Sequence, residues 1–166
     1  FLDFEEANEA LHRIVVAGTF VDTLDLGAGH RLARSGQRSA FVACFSAQGA
    51  LLWARDFGGS GVDIGYALAL DGAGNVLLTG CFADRIGFGG AELVARGALD
   101  LFVAKLGAAD GHHLWSRGFG SIGHDVGHAI ACDAAGHAVL CGFFQGRLEP
   151  GDGQPALQSA GKSDIF

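Results

Sequence analysis

The sequence predicts an all-β chain built from repeated units, and three observations carry this prediction. The stretch FGGSGVDIGYALALDGAGNVLLTGCF, residues 57–82, returns 62 residues later as FGSIGHDVGHAIACDAAGHAVLCGFF, residues 119–144. Glycine provides 28 of the 166 residues, whereas proline is found only twice. The apolar segments are short and nearly continuous, they end at glycine-containing turns, and they lack the helical period. Short strands joined by tight turns account for all three observations.

Composition indicates a globular chain and argues against several classes of protein. Hydrophobic residues make up 49% and charged residues 17%, which is too apolar for a disordered chain. The net charge of −7 and the scattered basic residues argue against binding to nucleic acid. No uncharged apolar run approaches the roughly 18 residues of a membrane-spanning helix. The acidic stretch FLDFEEANEAL lacks the pattern of a secretion signal.

The cysteines fall at different positions of the repeat and form no CxxC pair. They are Cys44, Cys81, Cys132 and Cys141. This spacing favours buried free thiols within apolar strands over a disulfide framework or a zinc site.

Aligning the chain with itself defines units of about 62 residues. They run over about 1–63, 64–125 and 126–166, and the third unit is truncated. The tripeptides that recur at this step are Gly18-Thr19-Phe20, Gly80-Cys81-Phe82 and Gly142-Phe143-Phe144. We expect their last phenylalanines to occupy equivalent buried sites.

Each unit is predicted to hold four strands joined as two hairpins. In YALALDGAGNVLLTGCF, Asp71 and Gly74 bracket a reversal in which the aspartate bonds its own backbone and the glycine supplies a positive φ. LFVAKLGAADGHHLWSRGF is a second hairpin, which reverses at 109–111. The segment 83–99 is predicted to be a long loop between the second and third strands. For residues 1–11 the sequence is compatible with either a helix or a degenerate strand.

Both faces of such a sheet are apolar, because YALAL and VLLTG carry apolar residues at odd and even positions. Stacking sheets face to face around an axis buries both faces, as in a β-propeller. A transmembrane barrel needs a polar face and a parallel β-helix needs no paired hairpins, so both fit less well. The chain holds fewer than the roughly four blades of a closed ring. We therefore expect a partial β-propeller, completed by the remaining blades of a longer parent chain or by a ring-forming homo-oligomer.

The string F-G-G-S-G-x-D-x-G-x-x-x-A-x-D-x-x-G-N-x-x-x-T-G, residues 57–80, resembles the bacterial SBBP repeat of seven-bladed β-propellers. Residues 119–142 match it more loosely, and LVARGALDLFVAKLGAADGHHLW and LQSAGKSDIF resemble its other half. The resemblance covers about residues 13–166 and departs from the repeat at 37–40 and at His137.

This resemblance implies a bacterial protein that is secreted or attached to the cell surface, and hence an extracellular or cell-surface location. The implied function is a non-enzymatic scaffold or a module that binds a protein or a glycan. The alternative is part of a propeller enzyme, of hydrolase or lyase type, with its site at the propeller axis. That alternative would require a polar residue that breaks the repeat on an inner strand.

No catalytic, cofactor-binding or metal-binding residue is assigned from the sequence, and no cofactor is expected. His124, Asp125 and His128 in GHDVGH suit zinc or iron as residue types. However, Asp125 matches Asp63, which has no neighbouring histidine. We therefore predict that both aspartates accept hydrogen bonds from backbone N–H groups in the connections between units.

Three further features have a structural interpretation. His112 and His113 adjoin the turn at 109–111 and are predicted to be an exposed pair. The turns DGAGN and DAAGH each offer one carboxylate where a calcium loop needs several. Trp53 and Trp115 are predicted to fill space between blade edges rather than to stack on a sugar.

Overall fold

A computed structural model of the chain describes residues 13–133, 135–151 and 153–166. Every regular element in these ranges is a β-strand, which confirms the all-β prediction, and none of them contains a helix long and apolar enough to cross a membrane. The interpretations of residues 1–11 lie outside the described residues. The strands are β1 (Arg13–Phe20), β2 (Thr23–Asp25), β3 (Arg31–Ala33), β4 (Ser39–Ser46), β5 (Leu51–Phe57), β6 (Asp63–Leu70), β7 (Val76–Phe82), β8 (Arg85–Ile86), β9 (Leu93–Val94), β10 (Asp100–Leu106), β11 (His113–Phe119), β12 (Val126–Cys132), β13 (Ala138–Phe144), β14 (Arg147–Leu148), β15 (Leu157–Gln158) and β16 (Asp164–Ile165).

The strands of seven or eight residues, together with the short β16, form three antiparallel sheets, one in each predicted unit. The first sheet has the order β1-β4-β5, the second β6-β7-β10-β11 and the third β12-β13-β16. The second sheet is therefore the four-stranded meander that the sequence predicts. Both of its hairpins reverse at a glycine with positive φ, Gly74 at 77° and Gly111 at 70°, a backbone conformation that glycine adopts without steric cost.

The prediction of a plain loop over 83–99 is wrong, because this segment contains the two-stranded hairpin β8–β9. Arg85 pairs with Val94 and Ile86 with Leu93. Ile86 and the neighbouring Phe88 are buried in the main core, so apolar contacts hold the hairpin in place. The hairpins β2–β3 and β14–β15 stand at the same place in the other two units.

The two central strands of the middle sheet, β7 and β10, are buried on both faces. Phe102 and Leu106 of β10 pack in one cluster with Val42 of the first sheet. Leu101, on the opposite face of β10, packs with Phe144 of the third sheet. Because successive side chains of a strand point to opposite sides, the continuous apolar strand β10 fills two cores at once. The sheets thus pack in sequence, first on second and second on third.

The outer sheets keep one apolar face open. Ile14 on β1 is 54% exposed, although Val76, its counterpart in the middle unit, is fully buried. Val139 on β13 is 70% exposed, whereas its counterpart Leu77 is fully buried. No closed ring is present among the described residues, so the propeller arrangement stays a proposal.

Phe20, Phe82 and Phe144 are all buried, as predicted. Each is the last residue of its strand, and each pairs with the first residue of the neighbouring strand β4, β10 or β16. The partners are Ser39, Asp100 and Asp164. Residues 62 apart in the sequence therefore occupy the same position in the hydrogen-bonded ladders of the three sheets.

The cysteines are all free, and the prediction that they are buried is only partly right. Cys44 and Cys81 are buried, Cys132 is partly exposed and Cys141 is exposed. Cys141 lies two residues after Val139 and therefore on the same open face of the third sheet. Its exposure follows from its place on this open face.

Candidate functional site

Asp63 and Asp125 cap the connections that lead into the first strands of the second and third units. Asp125 is fully buried, and its Oδ2 accepts hydrogen bonds from the backbone N and the Oγ of Ser121 at 2.6 and 2.9 Å. Its Oδ1 accepts a third, from the backbone N of Gln145 at 3.2 Å. Asp63 accepts one, from the backbone N of Gly59 at 2.9 Å. The predicted role of both aspartates is thus confirmed.

Asp63 differs from Asp125 in the hydrogen bonding of its Oδ1. Its buried Oδ1 has no hydrogen-bond partner, because the backbone N of Ala83 donates to the carbonyl of Val62 at 3.0 Å instead. The pKa of Asp63 is raised to about 6, chiefly by burial and also by the nearby carboxylate of Asp84, against the lowering effect of the Gly59 hydrogen bond. This carboxylate is therefore poised to take up a proton under mildly acidic conditions.

A second row of caps stands at the first residues of β4 and β10. Asp100 is buried and accepts hydrogen bonds from the backbone N of Arg96 and of Gly97 at 3.0 and 3.1 Å. Ser39, the counterpart of Asp100, accepts one from the backbone N of Ser35 at 3.0 Å. The departure from the repeat at 37–40 therefore replaces one cap with another, an equivalence that sequence reasoning missed.

The caps hold adjacent units together through the backbone. Arg38 forms a parallel bridge with Val62, and Leu99 forms the equivalent bridge with His124 one unit later. Gly97 faces the connection so closely that an added Cβ would lie 2.5 Å from the carbonyl oxygen of Ser121. The polar residues at this edge of the sheets are thus used in holding the units together.

At the opposite edge, Asp71 organises the turn between β6 and β7. Its Oδ1 accepts hydrogen bonds from the backbone N of Ala73 and of Asn75, and Asn75 Nδ2 donates to Oδ2, all at 2.9 Å. The Lys105 ammonium lies 2.7 Å from the same Oδ2. Although burial acts to raise it, the hydrogen bonds from Lys105 and Asn75 hold the pKa of Asp71 well below its usual range. Protein donors thus occupy both oxygens of this carboxylate.

A pocket of about 330 Å³ opens beside this turn, between the first and second sheets. Arg13 Nη1 and Trp53 Nε1 both donate to the carbonyl of Ala108, at 2.8 and 3.1 Å. The Trp53 ring is 8% exposed and packs so closely on Gly111 that an added Cβ there would lie 2.6 Å from the ring. Trp53 therefore fills space between sheets, as predicted. Trp115, at 37% exposure, is covered less completely than the sequence predicts.

The structure does not bring the histidines together as a metal site. His124 is exposed, and its backbone N donates to Gln145 Oε1 at 3.2 Å. His112 is exposed beside Asp110, whereas His113 is half-buried, so the prediction of an exposed pair is correct for His112 alone. Among the residues that the structure describes, no group of three or more His, Cys, Asp or Glu side chains could hold a metal ion.

Three ring side chains form a cluster at a partly open surface. Tyr66 on β6 is 47% exposed, and its ring centroid lies 5.0 Å from that of His128 on β12. The His128 ring in turn lies 5.6 Å from Phe143 on β13. We call these three residues the aromatic row. It runs from the second unit to the third along adjacent strands.

Two members of the aromatic row, Tyr66 and His128, stand at equivalent β-bulges. The pairing register shifts between Gly65 and Ala67 and again between Gly127 and Ala129, so Tyr66 and His128 are the extra residues of two equivalent β-bulges. Bulges re-aim a side chain and are frequent beside functional sites. Partial burial raises the pKa of Tyr66, so its hydroxyl stays protonated and able to donate a hydrogen bond.

Sequence reasoning considered His128 only as a metal ligand and did not single out Tyr66. The available signal was a ring at the same position of two units, within the otherwise small-residue segments GYAL and GHAI. What the alignment could not show was the bulge, because an extra residue in a ladder leaves no mark on the repeat length.

The comparisons with known proteins place the chain in no family. No protein-family model matches it. A search of curated proteins also gives no significant match.

Proposed function

We propose that this chain is part of a β-propeller of the SBBP repeat type and serves as a non-enzymatic binding scaffold. The resemblance of residues 57–80 to that repeat and the stacking of three sheets in sequence support this arrangement. The open faces at Ile14 and Val139 would then be covered by further blades of a parent chain or by other copies in a ring. A secreted or surface-associated bacterial protein is part of the same proposal and rests on the resemblance alone.

The aromatic row is the observation that favours binding. The caps and turns repeat between units and are occupied in holding the fold, whereas Tyr66, His128 and Phe143 offer rings at a partly open surface. Exposed aromatic side chains of this kind are enriched where proteins bind one another. The rings pack at interplanar angles of 52° and 39°, and each therefore covers part of its neighbour. That packing favours a polypeptide partner over a sugar that must lie flat on an open ring face.

Selection from a displayed peptide library tests this proposal directly. Peptides that bind the 166-residue protein should lose at least about tenfold in affinity on Tyr66→Ala and on His128→Ala, because such anchors dominate small interfaces. The control is Val94→Ala, which truncates an exposed side chain on the β8–β9 hairpin. Thermal melting should first show that each variant is folded.

A panel of soluble neutral oligosaccharides forms the second arm of the test. Binding of an oligosaccharide that depends on Tyr66 and His128 would replace the peptide with a glycan ligand. Peptide binding that is indifferent to both substitutions would contradict the assignment of the aromatic row as the binding surface.

A further inference from the structure

The pocket between the first and second sheets is a candidate site for a small molecule, apart from the aromatic row. We propose that it binds a small organic anion with an apolar body, whose carboxylate or similar group meets the Arg13 guanidinium. Its volume of about 330 Å³ is near the lower end of the roughly 300–1,000 Å³ that is usual for ligand pockets. The two sheets that form its walls pack on each other, so the pocket is separate from the open outer faces at Ile14 and Val139.

One exchange between repeat units accounts for this pocket. Lys105 on β10 stands opposite Trp115 on the next strand, and Cys44 on β4 stands opposite Trp53 in the same way. In each sheet the pairing register shifts directly after this residue. Cys44 and Lys105 thus occupy equivalent positions, and the side chain of Cys44 is much the shorter.

The Lys105 side chain lies in the corresponding space between the second and third sheets. Its ammonium lies 2.7 Å from Asp71 Oδ2, and a Cβ added at Gly136, in the turn of the third unit, would lie 3.3 Å from Nζ. Gly74 stands one repeat before Gly136 and lines the pocket together with Cys44. The second interface therefore contains a lysine side chain where the first contains a pocket.

The charges in the wall determine the class of ligand. Arg13 and Asp71 both line the pocket, but Lys105 already neutralises the Asp71 carboxylate. Arg13 is exposed and donates Nη1 to the carbonyl of Ala108 at 2.8 Å, and no carboxylate in the described part of the chain forms an ion pair with it. A guanidinium has five N–H donors and binds carboxylates in a bidentate manner. The pocket therefore offers a positive charge without a counterion.

Much of the remaining wall is apolar. Val15, Cys44 and Val76 line the pocket from β1, β4 and β7, and Trp53 lies beside them. Burial raises the pKa of the Cys44 thiol, although the Arg13 guanidinium acts to lower it, so the thiol is uncharged at neutral pH. Such walls favour an apolar chain or ring, because binding removes its surface from water. The ligand that fits is therefore amphipathic, with an anionic head group and an apolar body.

Octanoate is the probe, with octylamine and octanol as matched comparisons that differ from it in the head group. Titration calorimetry with the 166-residue protein should show saturable binding of octanoate, at least about tenfold tighter than that of the other two compounds. Octanoate should also slow the alkylation of Cys44 and leave that of the exposed Cys141 unchanged. Mass spectrometry of the alkylated protein would report both rates.

Substitutions in the wall test the role of each part. Arg13→Gln should weaken octanoate binding at least about tenfold and leave octanol binding unchanged. Arg55→Gln is the matched control, because Arg55 Nε also donates to the turn after β10, to the Asp110 carbonyl at 3.1 Å, but does not line the pocket. Cys44→Met should fill the pocket and prevent binding, whereas Cys141→Met should not. Thermal melting should first show that each variant is folded, and the two arginine variants decide the question if Cys44→Met is not.

Several results would overturn the proposal. They are the absence of saturable octanoate binding, equal binding of the three compounds, and equal effects of Arg13→Gln and Arg55→Gln. Protection of Cys141 in place of Cys44 would put the ligand elsewhere and would contradict the proposal as well. None of these results involves Tyr66 or His128, so the test of the aromatic row is unaffected.

Discussion

Asp125 accepts three hydrogen bonds, whereas Asp63, at the same position one unit earlier, accepts one and keeps a buried oxygen without a partner. Two changes produce the difference. Ser121 supplies a hydroxyl where the second unit has Gly59, and the backbone N of Ala83 points to Val62 instead of the carboxylate. One repeated position thus contains a fully satisfied cap and a partly satisfied one.

The first prediction follows from that contrast. Asp125→Ala removes all three bonds and should lower the free energy of unfolding by roughly 2–4 kcal/mol, while Asp63→Ala should cost roughly 1 kcal/mol. Urea unfolding of both variants at neutral pH measures the difference. Equal losses would mean that the additional hydrogen bonds of Asp125 do not contribute.

The second prediction concerns the pH dependence of stability. Because the pKa of Asp63 is about 6 in the folded chain against 3.8 as the ordinary value, the folded state binds this proton more tightly than the unfolded state. The stability gained from protonation is complete below about pH 4 and is lost as the pH rises through about 6. As the pH rises from about 4 to about 6, the free energy of unfolding should therefore decrease, and Asp63 should contribute on the order of 2 kcal/mol to the decrease.

Asp63→Asn should flatten that pH dependence. Some dependence should persist, because burial also raises the pKa of Asp100. Asp71→Asn is the control. Because the pKa of Asp71 is lowered, this carboxylate changes the stability only below about pH 4, and its replacement should leave the slope between pH 4 and 6 unchanged. An unchanged slope in Asp63→Asn would refute the assignment.

The third prediction compares two glycines with similar backbones. Gly111 and its counterpart Gly49 have φ of 70° and 83°, but Gly111 lies against the Trp53 ring while nothing lies within 4 Å of an added Cβ at Gly49. Both changes to alanine cost roughly 1 kcal/mol in backbone strain. Gly111→Ala should cost at least about 1 kcal/mol more, because Trp53 must move. Thermal denaturation of the two variants would measure both losses.

A fourth prediction concerns the ion pair between Lys105 and Asp71, whose side chains are 17% and 6% exposed. Lys105→Met removes the cation and leaves a buried carboxylate without its counterion, which should cost roughly 3 kcal/mol. The exposed pair of Arg31 and Asp25 provides the comparison, and Arg31→Met should change stability little. Similar losses in the two variants would show that Lys105 contributes no more than a surface charge.

The order of thiol modification gives a fifth prediction. Alkylation at neutral pH should modify Cys141 first, because it is exposed, and Cys81 last, because burial raises its pKa to about 12. Mass spectrometry of the native protein over time would report the order. Early modification of Cys81 would mean that the middle sheet opens readily.

The sequence predicts the repeat-level features of this fold well. Phe20, Phe82 and Phe144 take equivalent ladder positions, and Asp63 and Asp125 act as caps, because a contact kept between units leaves a matching residue at a constant step. The same reasoning anticipates a sheet that is apolar on both faces.

Features that depend on local geometry or on neighbours could not be predicted in this way. The hairpin β8–β9 rests on two residue pairs and on Ile86, which is too short a pattern to recognise among glycines. The aromatic row depends on a bulge at Tyr66 and another at His128, and the exposure of Cys141 depends on which face lacks a neighbouring sheet.

The backbone bridges from Arg38 to Val62 and from Leu99 to His124 join the end of each loop to the entry of the following unit. The hydrogen bonds of each joint run in both directions: the backbone N of Gln37 donates to the carbonyl of Gly61, and the backbone N of Asp63 donates to the carbonyl of Arg38. The two halves of the joint thus recur within every stretch of about 62 residues. An in-frame gene duplication of that length would copy both halves of the joint together. An array of this kind can therefore gain or lose whole units during evolution while the same backbone contacts between units are kept.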